Sequence, residues 1–189
     1  MKLVTCALLV GLALPALAIP PVPRPAKDFT VVEPSGKQTK ISSLKGKVVM
    51  IEFLFTTCPH CQNTSRVFTK LQKELGSKGL AVLGVAFNDT NPQNTANFVQ
   101  QFEVGYPVGT ATQDAVLGIL GISVMERWAV PQVMIIDRKG MVRAQSEVGT
   151  SPQLSDETYL RKFLGDLLKE GATSTTGAKK APVTASAVK

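Results

Sequence analysis

Hydrophobic positions along the chain form short unbroken runs that alternate with segments of helical periodicity. The runs at 48–55 and 80–87 are nearly continuous, which is typical of strands buried on both faces of a sheet. Between them, residues 59–75 repeat their apolar positions every three or four residues and are followed by Gly76, as in an amphipathic helix closed by glycine. Strands that alternate with helices predict an α/β sandwich with a largely parallel centre.

The same alternation continues in weaker elements. Further strands are predicted at 29–32, 132–137 and 141–144. Further helices are predicted at 91–102, 112–120 and 156–169.

Both ends of the chain differ from this central part. Residues 1–18 begin with a positive charge, continue as an apolar run and end in an Ala-Leu-Ala triplet, the pattern of a cleaved secretory signal peptide. An uncleaved membrane anchor is the alternative. Residues 19–27 are rich in proline and predict an extended linker, whereas residues 171–189 have no aromatic residue and predict a disordered tail. One folded domain is therefore expected over residues 28–170.

The formal net charge of +7 raises the question of an anionic partner. The basic residues are not clustered with aromatic residues, and an exported protein rarely meets nucleic acid, so a solvated basic surface is the better interpretation.

The cysteines carry the strongest chemical signal. Cys6 would leave with the signal peptide, and the remaining two, Cys58 and Cys61, form a Cys-x-x-Cys. A disulfide between them closes a very small loop and constrains little unfolded chain, which favours redox chemistry over structural stabilisation. Cys58 stands where a strand passes into a helix, and the unpaired N–H groups there favour a thiolate. We therefore expect Cys58 to attack disulfides and Cys61, one turn further, to resolve the mixed disulfide.

The two residues between the cysteines fit this chemistry. Pro59 suits the first helical turn, where its missing N–H is not needed. His60 is the only histidine and can donate to the Cys58 thiolate, which would make the couple more oxidising. A structural zinc site needs four ligands, more than one cysteine pair and one histidine supply. A carrier of a soft metal such as copper(I) remains a lesser alternative, and no cofactor is expected.

Glu52 interrupts the apolar run at 48–55. A carboxylate on a strand buried on both faces is rare unless it has a function. Glu52 lies six residues before Cys58, and we predict that it has a raised pKa and relays the proton of Cys61. The alternative is that its side chain escapes to an edge or a water pocket.

The segment around the cysteines resembles the thioredoxin superfamily, and its Cys-Pro-His-Cys motif carries the dipeptide of DsbA-type oxidants. The remainder is similar to TlpA-type reductases, in the Gly46-Lys47 pair before the buried strand and in the Asp-Arg-Lys-Gly turn that starts at Asp137. The resemblance covers residues 28–168. It implies a thioredoxin-like three-layer sandwich with a central mixed sheet and helices on both faces.

The resemblance also implies further site residues. Pro131 matches a cis proline that faces the cysteines, and the backbone of Val130 would then be free to pair with an extended substrate segment. Glu52 matches the superfamily's buried acid beneath the second cysteine. Trp128 either lines this site or is a packed loop aromatic.

Two positions depart from the family pattern. Thr57 replaces the tryptophan that commonly precedes the first cysteine, and Thr64 replaces the acid that several TlpA-type reductases carry three residues after the second cysteine. A reductase mechanism that uses that acid therefore does not apply here.

Together these features predict an exported, periplasmic or otherwise extracytoplasmic, protein disulfide oxidoreductase. It would exchange disulfides with cysteine-containing exported proteins and be reset by a membrane or soluble redox partner, with its own membrane contact limited to an uncleaved signal segment. The direction stays open, because the TlpA-type framework favours reduction and Pro59-His60 favours oxidation. A peroxiredoxin-like thiol peroxidase is the main alternative, although Thr56 and Thr57 lack the spacing to Cys58 that we expect of a peroxidase.

Overall fold

The computed structural model of the protein describes residues 19–149 and 151–170. The segments predicted as signal peptide and tail lie outside them. The strands are β1 Arg24–Pro25, β2 Thr30–Val32, β3 Gln38–Lys40, β4 Val48–Leu54, β5 Leu80–Ala86, β6 Val108–Thr110, β7 Gln132–Ile136 and β8 Met141–Gln145. The helices are α1 Pro59–Leu75, α2 Pro92–Gln101, α3 Gln113–Leu120 and α4 Glu157–Glu170, and short 3₁₀ turns at Ile41–Leu44, Gly76–Lys78 and Pro152–Ser155 complete the order.

The strands form one mixed sheet in the order β1-β8-β7-β4-β5-β6-β2-β3. β4, β5 and β6 are parallel, as the alternation of strands and helices predicted. β7 instead pairs with β4 in the antiparallel sense, and β8 pairs antiparallel with β7 through the tight turn at Asp137. The centre is therefore parallel on one side of β4 only, and the mixed sheet implied by the family resemblance is confirmed.

Three short strands, β1, β3 and β6, are not predicted by the sequence patterns. β3 and β6 have three residues each, and neither has the run of β-branched residues that marks the equally short β2. β1 lies within the proline-rich segment predicted as a linker, yet it pairs with β8, with Arg24 opposite Val142. Prolines are tolerated there because β1 is at the edge of the sheet, where a missing N–H leaves no partner unsatisfied. Part of that segment therefore belongs to the sheet rather than to a linker.

Helices cover both faces of the sheet. Successive side chains of β4 point to opposite faces, and all seven are buried. Met50 and Leu54 join an apolar cluster with residues of α1, α2 and α4. Ile51 and Phe53 join a second cluster with residues of α3. This is the predicted three-layer arrangement, and Glu52 falls on the face covered by α1.

The passage from β4 to α1 places the cysteines. Cys58 is the N-cap residue, with extended backbone angles, and Pro59 occupies the first helical turn. The buried face of α1 begins with Cys61 and Ser65 and continues with Phe68 and Leu71. No helix of residues 19–149 and 151–170 combines the length and apolar character needed to cross a membrane.

Candidate active site

Cys58 lies half-buried at the N-terminus of α1. Its carbonyl accepts the first helical hydrogen bond, from the N–H of Gln62 at 3.0 Å. Its Sγ lies 3.9 Å from the carbonyl oxygen of Val130. The first cysteine is thus at the positive end of a helix and beside the loop that contains Pro131, in the position that suits an attacking thiolate.

Cys61 lies one turn further along α1 and is fully buried. Burial raises the pKa of its thiol above the usual 9.0, and the charges of Glu52 and Cys58 raise it further. A hydrogen bond with the backbone of Phe55 opposes this only in part. Cys61 therefore remains a thiol at neutral pH until a base takes its proton.

Glu52 is fully buried on the central strand β4, between β5 and β7. The alternative that it escapes to an edge is therefore wrong. The hydroxyls of Ser65 and Tyr106 donate to its Oε2 at 2.8 and 2.7 Å. Burial raises the pKa of Glu52 from the usual 4.5 to about 7, although these two hydrogen bonds lower it. Glu52 is thus buried as predicted, and a carboxyl in this environment can exchange a proton at neutral pH.

The second oxygen of Glu52, Oε1, is buried and makes no hydrogen bond to any residue that the structure describes. Ser65 follows Cys61 by four residues, so the two side chains lie on one face of α1, about one turn apart. Glu52 accepts a hydrogen bond from Ser65, which is about one helical turn from the resolving cysteine. The carboxyl of Glu52, which can exchange a proton, and the thiol of Cys61, whose pKa is raised, are thus buried in the same part of the core.

The Val130–Pro131 peptide bond is cis, as the family resemblance implied. The side-chain amide of Gln132 holds this loop, donating to the carbonyls of Ala129 at 2.7 Å and Glu147 at 3.2 Å. Gln132 was not singled out in the sequence. The sequence does contain a signal for it: Gln132 is an amide that directly follows Pro131 at the start of a predicted buried strand, where a buried amide needs several hydrogen-bond partners.

A groove of about 790 Å³ opens beside the cysteines. It lies between the first turns of α1, the loop before β7 and the segment that leads into α4. The lining residues, which we call the active-site groove, are His60, Asn63, Thr64, Val67, Val130, Pro131, Ser151, Pro152, Gln153, Ser155, Asp156 and Tyr159. Three of the site residues named from the sequence, His60, Val130 and Pro131, are thus brought together in one cleft.

Trp128 is not part of that lining. Its ring packs edge-on against Phe55, with centroids 5.9 Å apart, and against Phe87 at 5.6 Å. These contacts make Trp128 a packed loop aromatic, and its place in a substrate site stays a prediction. Because Phe55 lies three residues before Cys58, Trp128 stabilises the loop that carries the cysteine.

Tyr106 and Ser65 are the functional candidates that the sequence did not reveal. Ser65 could have been found from its spacing of four residues after Cys61 on a helix. Tyr106 lies in the connection before β6, and no local pattern links it to Glu52, which is 54 residues away. In residues 19–149 and 151–170, no three side chains of His, Cys, Asp or Glu are grouped to hold a metal ion.

Solved structures show how common this architecture is. A thiol:disulfide interchange protein of the thioredoxin family from Chlorobium tepidum TLS matches with a TM-score of 0.66 and 27% identity, over 79% of this chain and 99% of that one. A DsbE-type interchange protein from Chlorobium tepidum shares the fold with a TM-score of 0.65 at 24% identity, over 81% of this chain and 99% of that one. Fold and cysteine site together define the class: a thioredoxin-fold thiol–disulfide oxidoreductase.

The sequence comparisons give the family. The profile of the AhpC/TSA family matches residues 22–145, and the chain belongs to that family. The thiol-disulfide oxidoreductase ResA of Bacillus anthracis is 27% identical over 138 residues, which are 73% of this chain and 76% of that protein. ResA of Bacillus subtilis is 26% identical over 149 residues, 79% of this chain and 76% of that protein. These names favour disulfide exchange over the peroxidase alternative.

Proposed function

We propose that this enzyme exchanges disulfides with cysteines of exported proteins, with Cys58 as the attacking and Cys61 as the resolving thiol. The observation that carries the proposal is the unequal placement of the two thiols. Cys58 is half-buried beside the active-site groove, whereas Cys61 is fully buried. A substrate disulfide can therefore reach the first sulfur and not the second.

The chemistry balances without a bound cofactor. The Cys58 thiolate attacks one sulfur of a substrate disulfide, the substrate S–S bond breaks, and the displaced substrate cysteine leaves as a thiolate that takes up a proton. Glu52 takes the proton of Cys61, whose thiolate then attacks Sγ of Cys58. The mixed disulfide breaks, and the second substrate cysteine leaves as a thiolate that takes up a proton while Glu52 gives up the one it received. Two electrons have passed to the substrate, and the protein holds a Cys58–Cys61 disulfide; oxidation of a substrate is the same sequence in reverse.

The active-site groove is suited to a polypeptide. Val67, Val130, Pro152 and Tyr159 supply apolar surface, while the backbone of Val130 lies beside the sulfur that reacts. An extended segment that carries the substrate cysteine can pair with that backbone, as in strand addition. Pro131 has no N–H, so this pairing depends on the groups of Val130 itself.

Residues 1–18 support a site of action outside the cytoplasm. Their charge, apolar run and small-residue ending are typical of a secretory signal peptide. Disulfides persist in such compartments, so substrates are available there. A separate redox partner must restore the couple after each turnover.

Capture of mixed disulfides tests the proposal. In the Cys61→Ser variant the second step is blocked, so exported proteins should accumulate as covalent adducts on Cys58 that are released by dithiothreitol. The matched control, Cys58→Ser with Cys61→Ser, should capture none. Equal recovery from the two variants, or recovery of no cysteine-containing exported protein, would contradict the proposal.

A further inference from the structure

A polar cluster lies inside the apolar layer between β4 and α1. It consists of Glu52, Ser65 and Tyr106, all buried, with Cys61 one helical turn from Ser65. Both hydroxyls donate to the same carboxyl oxygen, Oε2. Oε1 has no partner among the described residues. The two oxygens of one carboxyl group are therefore in different environments.

Access of Tyr106 to Glu52 depends on a glycine. Gly84 of β5 is directly opposite Glu52 in the parallel pairing of β4 and β5. A Cβ at Gly84 would lie 2.9 Å from a methyl group of Val108 and 3.3 Å from the ring of Tyr106. Because glycine leaves this space open, the tyrosine ring can lie over β5 and its hydroxyl can reach the carboxylate of the next strand.

We propose that Tyr106 is a positioning residue for disulfide exchange, which holds Oε2 of Glu52 so that Oε1 receives and returns the proton of Cys61. This inference rests on the proposed role of Glu52 as the base for Cys61. An oxygen that already accepts two hydroxyl donors has little room for a proton of its own. The free oxygen is therefore the one that becomes protonated.

The groups around Glu52 make this interaction specific. The titratable side chains that interact electrostatically with Glu52 are Tyr106, from the connection before β6, and Cys61 of α1. On the neighbouring strands, Gly84 and Val133 stand opposite it. In the described part of the chain, α4 contributes leucines to this layer and no ionisable side chain. Loss of the Tyr106 hydroxyl thus removes one of only two donors that stabilise the carboxylate.

The decisive experiment compares the full-length wild type with Tyr106→Phe, which keeps the ring. The pKa of the Glu52 carboxyl is followed by carbon-13 NMR of glutamate-labelled protein, with the signal assigned by its absence in Glu52→Gln. The rate at which Cys61 displaces glutathione from a mixed disulfide on Cys58 is measured from pH 5 to 9.5. Both readouts are independent of folding stability as long as the variant is folded.

We expect the Glu52 midpoint in Tyr106→Phe to move to higher pH by about one unit, because one hydrogen bond to the charged form is lost. Below that midpoint the displacement rate should fall about tenfold, since the Cys61 step needs ionised Glu52. Well above it the two proteins should react equally fast. Ser65→Ala should shift the midpoint in the same direction, because Ser65 donates to the same oxygen.

Ser146→Ala is the control for simple loss of a buried hydroxyl. Ser146 is buried and accepts from the N–H of Val133 at 2.9 Å, and it makes no hydrogen bond to Glu52. It should lower stability and leave the midpoint in place. If Tyr106→Phe does not fold, the Glu52 midpoint is measured in Gly84→Ala instead. A Cβ at position 84 crowds the ring of Tyr106, and the tyrosine keeps its hydroxyl.

Two results would overturn the inference, and they differ. An unshifted midpoint in Tyr106→Phe, with the pH step absent in Glu52→Gln, removes the role of Tyr106 and leaves that of Glu52 intact. A pH step that survives in Glu52→Gln removes the role of Glu52, and the inference about Tyr106 with it.

Discussion

The two cysteines of the motif are three residues apart and occupy opposite kinds of environment. Cys58 caps α1, is half-buried and lies 3.9 Å from the Val130 carbonyl beside the active-site groove. Cys61 has no exposed surface and lies in the same buried layer as Glu52. The helix supplies favourable electrostatics to the first sulfur, whereas burial disfavours the charged form of the second.

This difference suits the two thiols to different steps of disulfide exchange. A thiolate exposed at a helix N-terminus can meet a partner protein, and a buried thiol that needs an internal base reacts only with a sulfur already bound next to it. The protein thereby limits reaction of Cys61 to the resolving step.

Alkylation by iodoacetamide measures the contrast directly. Cys58 in the Cys61→Ser variant should react faster than Cys61 in the Cys58→Ser variant by about a hundredfold or more at pH 7.5, because the pKa of Cys61 is raised and its sulfur is covered. Mass spectrometry of quenched samples gives both rates. Similar rates in the folded variants would remove the basis for assigning different roles.

Glu52→Gln should affect the buried thiol alone. The displacement of a mixed-disulfide partner by Cys61 should slow about a hundredfold at pH 7, since a positioned general base is lost. Alkylation of Cys58 should keep its wild-type rate. Asp114→Asn, which neutralises an exposed acid at the start of α3, is the matched control and should leave both rates unchanged.

The buried carboxyl should also make stability depend on pH. The pKa of Glu52 rises from 4.5 to about 7 on folding, so the folded state favours its protonated form. The stability that this provides is fully present below pH 4.5 and is lost as pH rises through 7. The loss amounts to about 3 kcal/mol.

Urea unfolding of the reduced wild type and of Glu52→Gln at pH 4.5 and pH 8 measures this term. In the difference between the unfolding free energies of the two proteins, the contributions of the other groups that titrate in this range cancel. A wild type that loses no stability relative to Glu52→Gln between the two pH values would show that Glu52 is not held in a desolvated site.

The smallest expected effect is that of His60 on the half-buried thiol, Cys58. His60 is exposed, lines the active-site groove and can donate to the Cys58 thiolate. His60→Ala should make the couple more reducing by about 30 mV, the equivalent of about one hydrogen bond for a two-electron couple. Equilibration with glutathione and dithiothreitol, followed by Trp128 fluorescence, gives the value. An unchanged potential would show that His60 does not act on the thiolate.

The long elements were predictable because each has a local cause. The apolar run of β4 and the periodic face of α1 appear at the predicted positions, and Pro59 begins α1 as its missing N–H allows. The short strands β3 and β6 carry no run of β-branched residues, so only pairing with their neighbours identifies them as strands. The two residues of β1, within the proline-rich segment, are likewise a strand through pairing with β8.

Within the site, the sequence by itself determined the Cys-x-x-Cys at the start of a helix and a carboxylate within a buried strand, since both are patterns of adjacent residues. The tertiary structure decided what surrounds them. It brought Tyr106 across Gly84 to Oε2 of Glu52, set the Val130 carbonyl beside Cys58 and packed Trp128 against Phe55. Each of these contacts joins residues far apart in the chain, and no local propensity records which distant side chains the folded core brings together.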